Sequence, residues 1–253
     1  MKNYYLILLS VFILSCNNER VLLLPEVEHA EITEVLDVSP AYIFYDETQP
    51  DSVLLNRKNL ISTTNWLVNV DKRLTLKQAI PHIKFLQDKK RDAKMHKNEN
   101  AKNYFTCNYT GIGDLGFVEF TDVNYIFSDE EINLDINHKI TNSDQYLNRT
   151  KDSTNMFGSL SGIHHTDVDL KFGFKNDKYI ISQRSSFLNT EVKKSLFYDY
   201  LNVVIENPLL GNVSKISLHF SESLSFQEYI WIKSNLKKVD SKMYFIENNE
   251  FIY

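Results

Sequence analysis

Cysteine is nearly missing from this chain: its 253 residues hold two, Cys16 and Cys107. One disulfide at most could form, so no disulfide framework is available and the fold must bury a core large enough to stand on its own. Glycine (seven) and proline (five) are also sparse, which excludes collagen-like and Pro/Gly-rich low-complexity chains. No apolar run approaches the ~20 residues of a membrane-crossing helix. A basic excess is missing too, since 28 Lys and Arg against 33 Asp and Glu leave a net charge of −5 without a long basic tract. Nucleic-acid binding and electrostatic docking on anionic lipid therefore lack their usual footprint. What the chain has is 43% hydrophobic and 13% aromatic residues, enough for one large or two modest globular domains.

The longest apolar stretch lies at the start, from Tyr4 to Leu14, broken by Ser10 and preceded by Lys2. It has the dimensions of a signal-peptide h-region behind a positive n-region. It ends in Ile13-Leu14-Ser15-Cys16, and polar Asn17-Asn18-Glu19-Arg20 follow. This resembles the lipobox of bacterial lipoproteins, whose peptidase needs a small residue before the cut and whose cysteine thiol takes a diacylglycerol. The resemblance implies a signal peptide over residues 1–15, lipid attachment at Cys16 and a membrane anchor made of acyl chains, each buried CH₂ contributing about 0.8 kcal/mol. The competing reading is an ordinary cleaved signal peptide followed by an unrelated cysteine. Asn17 stands where an acid marks inner-membrane retention in some bacteria, so the outer membrane is the favoured address within the cell envelope. With Cys16 acylated, Cys107 has no partner in the chain. The alternation in "NYFTCNYT" reads as a half-buried strand with Cys107 as an inert core residue.

Behind the anchor, residues 16–39 read as a tether. An N-terminal α+β domain follows over 40–134, then a polar linker rich in Asn, Ser and Thr over 135–166, and a C-terminal α+β domain over 167–253. In the first domain, strands are expected at 41–47, at "SVLLN" and "LISTTNWLVNV", near 103–109 and over 117–127. Thr75 and Gln78 have the form of a capping box opening a helix with Leu76, Ile80, Ile83 and Leu86 on one face, and Pro81 predicts a kink or a late start. In the second, a hairpin is expected to turn near Asn176-Asp177. Thr190 is placed to cap a helix carrying Val192, Leu196, Tyr200 and Val203. Ser225 and Glu228 form another capping box, with Tyr229, Ile232 and Leu236 inward. The fold class is α+β: a mixed β-sheet with helices packed on one face.

The segment from "DKYIISQR" through "KISLHFSESLSFQEYIWIKSNLKK" to the C-terminus is similar to the periplasmic domain of ExbD/TolR proteins. That resemblance covers roughly residues 168–253. It implies a strand pair, a helix, a central strand at 215–220 and a following helix at 226–237 with Tyr229 near its start. Phe220-Ser221-Glu222 replaces the family's strand-end Asp, and Val239-Asp240 replaces the Gly before the last strand. The family's transmembrane helix and its proton-handling acid are missing, so the resemblance implies a fold and a binding habit but not ion-driven energy transduction. Residues 41–127 carry the same strand-helix-strand theme, which two related β-α-β-type domains from an ancient duplication would explain.

The chemical motifs are weak. "GIGDLG" (Gly111, Gly113, Gly116) matches the dinucleotide fingerprint in letters, yet "FVEFTDVNYIF" reads as a strand where the mechanism needs a helix N-terminus. "GSLSG" (residues 158–162) lacks the strand-to-helix frame of a nucleophile elbow. His165, Asp167 and Asp169 would share one face of a strand and supply imidazole and carboxylates to a divalent metal, but one strand seldom closes a metal site alone. Ser128 with Glu131 makes a further capping box, which accounts for Asp129-Glu130-Glu131 without acid–base chemistry. No catalytic set, cofactor site or metal site is expected. The chain reads as a non-enzymatic, lipid-anchored envelope protein. It is expected to bind another envelope protein, or a second copy of itself, through exposed strand edges. The rival reading is an envelope hydrolase, metal-assisted, using the His165/Asp167 region.

Overall fold

The computed structural model describes residues 20–93, 98–128, 141–142, 165–183, 188–205, 212–239 and 245–253. Cys16, the signal-peptide stretch, Glu131 and most of the linker lie outside them. The described residues form an α+β fold with a six-stranded and a seven-stranded mixed sheet.

The first sheet holds β1 (Glu26–Val27), β2 (Val38–Tyr45), β3 (Val53–Asn56), β4 (Asn65–Val70), β5 (Asn103–Tyr109) and β6 (Asp114–Glu119), with helix α1 (Leu76–Arg91) between β4 and β5. The second holds β7 (Asn124–Phe127), β8 (Thr141–Asn142), β9 (His165–Lys175), β10 (Lys178–Gln183), β11 (Leu188–Val192), β12 (Asn212–Phe220) and β13 (Phe245–Ile252), with α2 (Phe197–Ile205) before β12 and α3 (Phe226–Lys238) after it. The first sheet reads β6-β5-β4-β2-β3, with the short β1 pairing the end of β5 on the same side as β4; the second reads β7-β13-β12-β9-β10-β11-β8. Four places match in sense as well as order: β5-β4-β2-β3 and β13-β12-β9-β10 each run as two parallel pairings followed by one antiparallel hairpin. At the fifth place β6 lies antiparallel to β5, whereas β7 lies parallel to β13. The strand-helix-strand theme of 41–127 is thus the topology of the second half too.

The two halves meet at their strand-to-helix junctions, Leu74-Thr75-Leu76 and Leu224-Ser225-Phe226, which lie 150 positions apart in sequence. Each helix opens with a complete capping box, Thr75 with Gln78 and Ser225 with Glu228. That satisfies the amides of the cap residue and of the third helical residue, and leaves the first two helical N–H groups orphaned. The opposite half supplies their acceptors. Leu76 N donates to Leu224 O (2.8 Å) and Phe226 N to Leu74 O (2.7 Å); Lys77 N donates to Glu222 O (3.0 Å) and Gln227 N to Lys72 O (3.2 Å). These are reciprocal bonds of the kind found across a two-fold interface, here within one chain. Phe105 of β5 seals the junction by stacking on Phe120 (3.8 Å between centroids) and meeting Phe226 edge-on at 5.1 Å. One hydrophobic cluster runs through both halves.

Several expected elements differ in detail. Helix α1 starts at Leu76 and runs through Pro81, so the late start does not occur; the capping box and the bonds from Leu224 and Glu222 fix its first turn before the proline. Thr190 caps no helix. It lies buried in β11, because pairing with β10 claims residues 188–192, and accepts a bond from the Tyr200 hydroxyl at 2.9 Å. Helix α2 begins at Phe197 and buries Phe197, Tyr200, Leu201, Val204 and Ile205. Strand β5 is buried on both faces rather than one. The strand expected over 117–127 is two strands, β6 and β7, which join different sheets. Part of 16–39, read as tether, is bound to the first sheet through β1, where Val27 is buried. Asn176 and Asp177 make the β9–β10 turn with φ of 51° and 58°, the left-handed geometry that short Asn/Asp hairpins adopt.

Candidate functional site: a buried polar network behind an edge strand

Strand β7 leaves the first half and becomes an edge of the second sheet, parallel to β13. Its Tyr125 points inward, where α3 presents Tyr229 and Lys233 one turn apart on a single face and β13 presents Glu250. The Tyr229 hydroxyl donates to Glu250 Oε2 at 2.6 Å, and Lys233 Nζ pairs with Glu250 Oε1. Because the Tyr229 proton is committed, the Tyr125 hydroxyl, 3.1 Å away, donates to the Tyr229 oxygen. Glu250 is 1% exposed and the Lys233 side chain 15%, so the pair is largely withdrawn from water. Burial first, and then the Glu250 charge, push both tyrosine hydroxyls well above their ordinary range and keep them protonated donors.

A buried ion pair seldom adds net stability, since the lost hydration offsets the attraction. The first half shows what the architecture accepts instead. The positions that correspond to Tyr229 and Lys233 along α1 are Ala79 and Ile83, both fully buried. The polar network is therefore an addition to the second half that the shared topology does not require.

The strands flanking β5 and β13 differ as well. On the outer side of β6, Phe117 N donates to Ile32 O at 2.9 Å. The short β1 is closed by the Gln227 side chain: Glu26 N donates to Gln227 Oε1 at 2.8 Å and Gln227 Nε2 donates to Glu26 O at 3.0 Å. On the outer side of β7 no strand is paired among the described residues, and Ile126 and Phe127 are 38% and 49% exposed.

Beside β7 opens a polar cleft of about 380 Å³, between the end of α1, the start of β5 and the bulged part of β13; Gln87, Lys90, Asn98, Asn103, Asn124 and Asn248 are among its lining residues. Lys90 is 8% exposed; its Nζ donates to Lys102 O and Asn103 Oδ1, both at 2.9 Å, and lies 5.1 Å from the Trp66 ring centre. Burial lowers its pKa to about 8. Gln87 Nε2 donates to the carbonyls of Phe120 (3.1 Å) and Val123 (2.9 Å), which fixes the amide's orientation and leaves its buried Oε1 without a partner.

Asp71, at the end of β4, is a second buried acid. Burial pushes its carboxyl up, but the two-pronged bond from Arg73 (2.9 and 2.8 Å) and the N–H groups of Arg73 and Leu23 outweigh that and hold it below the usual range. It organises the β4–α1 turn and the incoming N-terminal segment.

The residues singled out from sequence are scattered. Cys16 lies outside the described residues. Cys107 is fully buried in β5, and burial pushes its thiol up to about 12. Gly111 and Gly113 form the β5–β6 turn, with Gly113 at φ 68°, and a strand follows. His165 is the first residue of β9; Asp167 and Asp169 alternate with buried Val168 and Leu170, and Asp169 lies 3.9 Å from His219. Among the described residues no cluster of three His, Cys, Asp or Glu could hold a metal.

Tyr229 entered the sequence reading through its helix alone; Tyr125, Lys233, Glu250 and Lys90 did not enter it. Glu250 had one signal, since it stands two residues before Ile252 and so shares the core face of β13. The chain matches no protein-family model, no curated protein and no solved structure.

Proposed function

We propose that this chain is a lipid-anchored docking protein of the cell envelope, held to a membrane through acyl chains on Cys16, the outer membrane favoured, and that it binds an extended segment of another envelope protein along β7. The observation that carries this is the contrast between two strands in equivalent places: β6 is bridged on its outer side by Ile32 at Phe117, whereas β7 keeps, among the described residues, an unpaired outer side with exposed Ile126 and Phe127. A free strand edge offers a partner main-chain hydrogen bonds, and side chains on alternate positions give selectivity. Tyr125, tied into the Tyr229–Glu250–Lys233 network, holds that edge in register from behind. The resemblance of residues 168–253 to ExbD/TolR-type periplasmic domains supports the same binding habit.

Two experiments test this. Cells fed labelled palmitate and fractionated are expected to show a labelled, membrane-bound protein, and Cys16→Ser a soluble, unlabelled one. A photo-crosslinking residue at Phe127 is expected to capture one discrete partner that the same residue at exposed Leu36 does not. A crosslinked dimer of the chain itself would replace the heterologous partner with a second copy; label-free protein or no adduct at Phe127 would overturn the reading.

A further inference from the structure

We infer that the cleft beside β7 binds a small hydrophilic carboxylate, with Lys90 receiving the carboxylate and the surrounding amides receiving the ligand's polar groups. The volume, about 380 Å³, falls in the range of small-molecule sites, and the cleft is open to solvent at the junction of the two halves. At its wall stands a nearly buried ammonium group. Among the described residues Lys90 has no carboxylate partner; its two bonds go to neutral oxygens, and beyond them its charge meets the Trp66 ring at 5.1 Å but no anion. A buried charge is tolerated when something of opposite sign answers it. Arg91 adds a second cation, but it is already engaged by Asp88 (2.7 Å) and Asn124 Oδ1 (2.8 Å), so it orients Asn124 rather than competing for the ligand.

A second observation points the same way. Gln87 Oε1 is buried, fixed in orientation and without a hydrogen-bond partner, although its residue lines the cleft. Such an orphan acceptor is expected to take an N–H or O–H from a ligand or from a water the ligand holds. Asn98, Asn103 and Asn124 offer further amide groups on the wall. Glu99 and Asp122 also line it, and their like charge weighs against dianions such as phosphate more than against a monoanion. Among the described residues its lining includes no aromatic side chain, so recognition rests on charge and hydrogen bonds. An acylated amino acid, which joins one carboxylate to an amide N–H, has the required chemistry.

The full chain is titrated with N-acetyl-alanine, with its methylamide and with inorganic phosphate, while the side-chain amide signals of Asn98, Asn103 and Asn124 and the ε-carbon signal of Lys90 are followed by NMR. The carboxylate is expected to shift the amides saturably and to raise the pH at which Lys90 titrates, and the methylamide and phosphate are expected to do neither. Lys90→Met is expected to weaken carboxylate binding by roughly tenfold or more. The upward move of the Lys90 titration is read on the unaltered protein, so it stands even where the variant folds poorly. An equal response to the methylamide, a response to phosphate alone, unchanged binding in Lys90→Met, or no saturable response to the carboxylate would each overturn the assignment.

Discussion

The two halves share one topology and use it differently. In the first, α1 meets the sheet with Ala79 and Ile83; in the second, α3 places Tyr229 and Lys233 there and buries Glu250 beneath them. In the first, the strand flanking β5 is antiparallel to it and bridged on its outer side by Ile32; in the second, the strand flanking β13 is parallel to it and, among the described residues, open. Where two copies of one architecture differ, features common to both serve the fold, and features confined to one need another explanation. The capping boxes and the reciprocal backbone bonds belong to the first kind, the polar network and the β7 edge to the second.

That division can be broken at several points. The largest effect is expected at the shared seam. Phe105→Ala removes the ring between Phe120 and Phe226 and should cost about 3–5 kcal/mol, with both halves unfolding in one denaturant transition. Two separate transitions would show that the halves are independent. Glu250→Ala strands Lys233 and two tyrosine hydroxyls in the core and should cost a comparable ~3–5 kcal/mol by chemical denaturation. The caps come next. Thr75→Ala and Ser225→Ala should each cost about 1 kcal/mol, and near-equal losses would confirm that the two junctions are equivalent.

A pH dependence gives a further comparison. Lys90 titrates near 8 in the folded chain against an ordinary 10.5, so the folded state resists its charge. That penalty is complete below pH 8 and is relieved as pH climbs to 10.5, where the unfolded chain still binds the proton. The stability of the unaltered protein relative to Lys90→Met should therefore rise across that window. Cys107 and the buried tyrosines act in the opposite direction, since burial keeps their protons on, but they are common to both proteins and cancel in the difference.

Much of the framework was legible in the sequence because its signals are local. Thr75 with Gln78, Ser225 with Glu228 and the Asn176-Asp177 turn each announce themselves within four residues. Thr190 misled because a side chain suited to a helix cap suits a strand equally well, and pairing with β10 decided between them. The strand at 117–127 read as one element because nothing local says that Asn124–Phe127 pairs with residues more than a hundred positions later. The network was illegible for the same reason. Tyr125, Tyr229, Lys233 and Glu250 come from three elements, and each alone is an unremarkable polar residue.

The sharpest test replaces the network with the kind of apolar contact its counterpart uses. The combined variant Tyr229→Phe, Lys233→Met, Glu250→Leu is made, and its unfolding midpoint and the hydrogen exchange of the Tyr125 and Ile126 amides are measured together. The expected result is a midpoint equal to or above that of the unaltered protein, with faster exchange in β7 alone. A midpoint as low as that of Glu250→Ala, or β7 amides protected as before, would contradict the view that the network serves the edge strand rather than the fold.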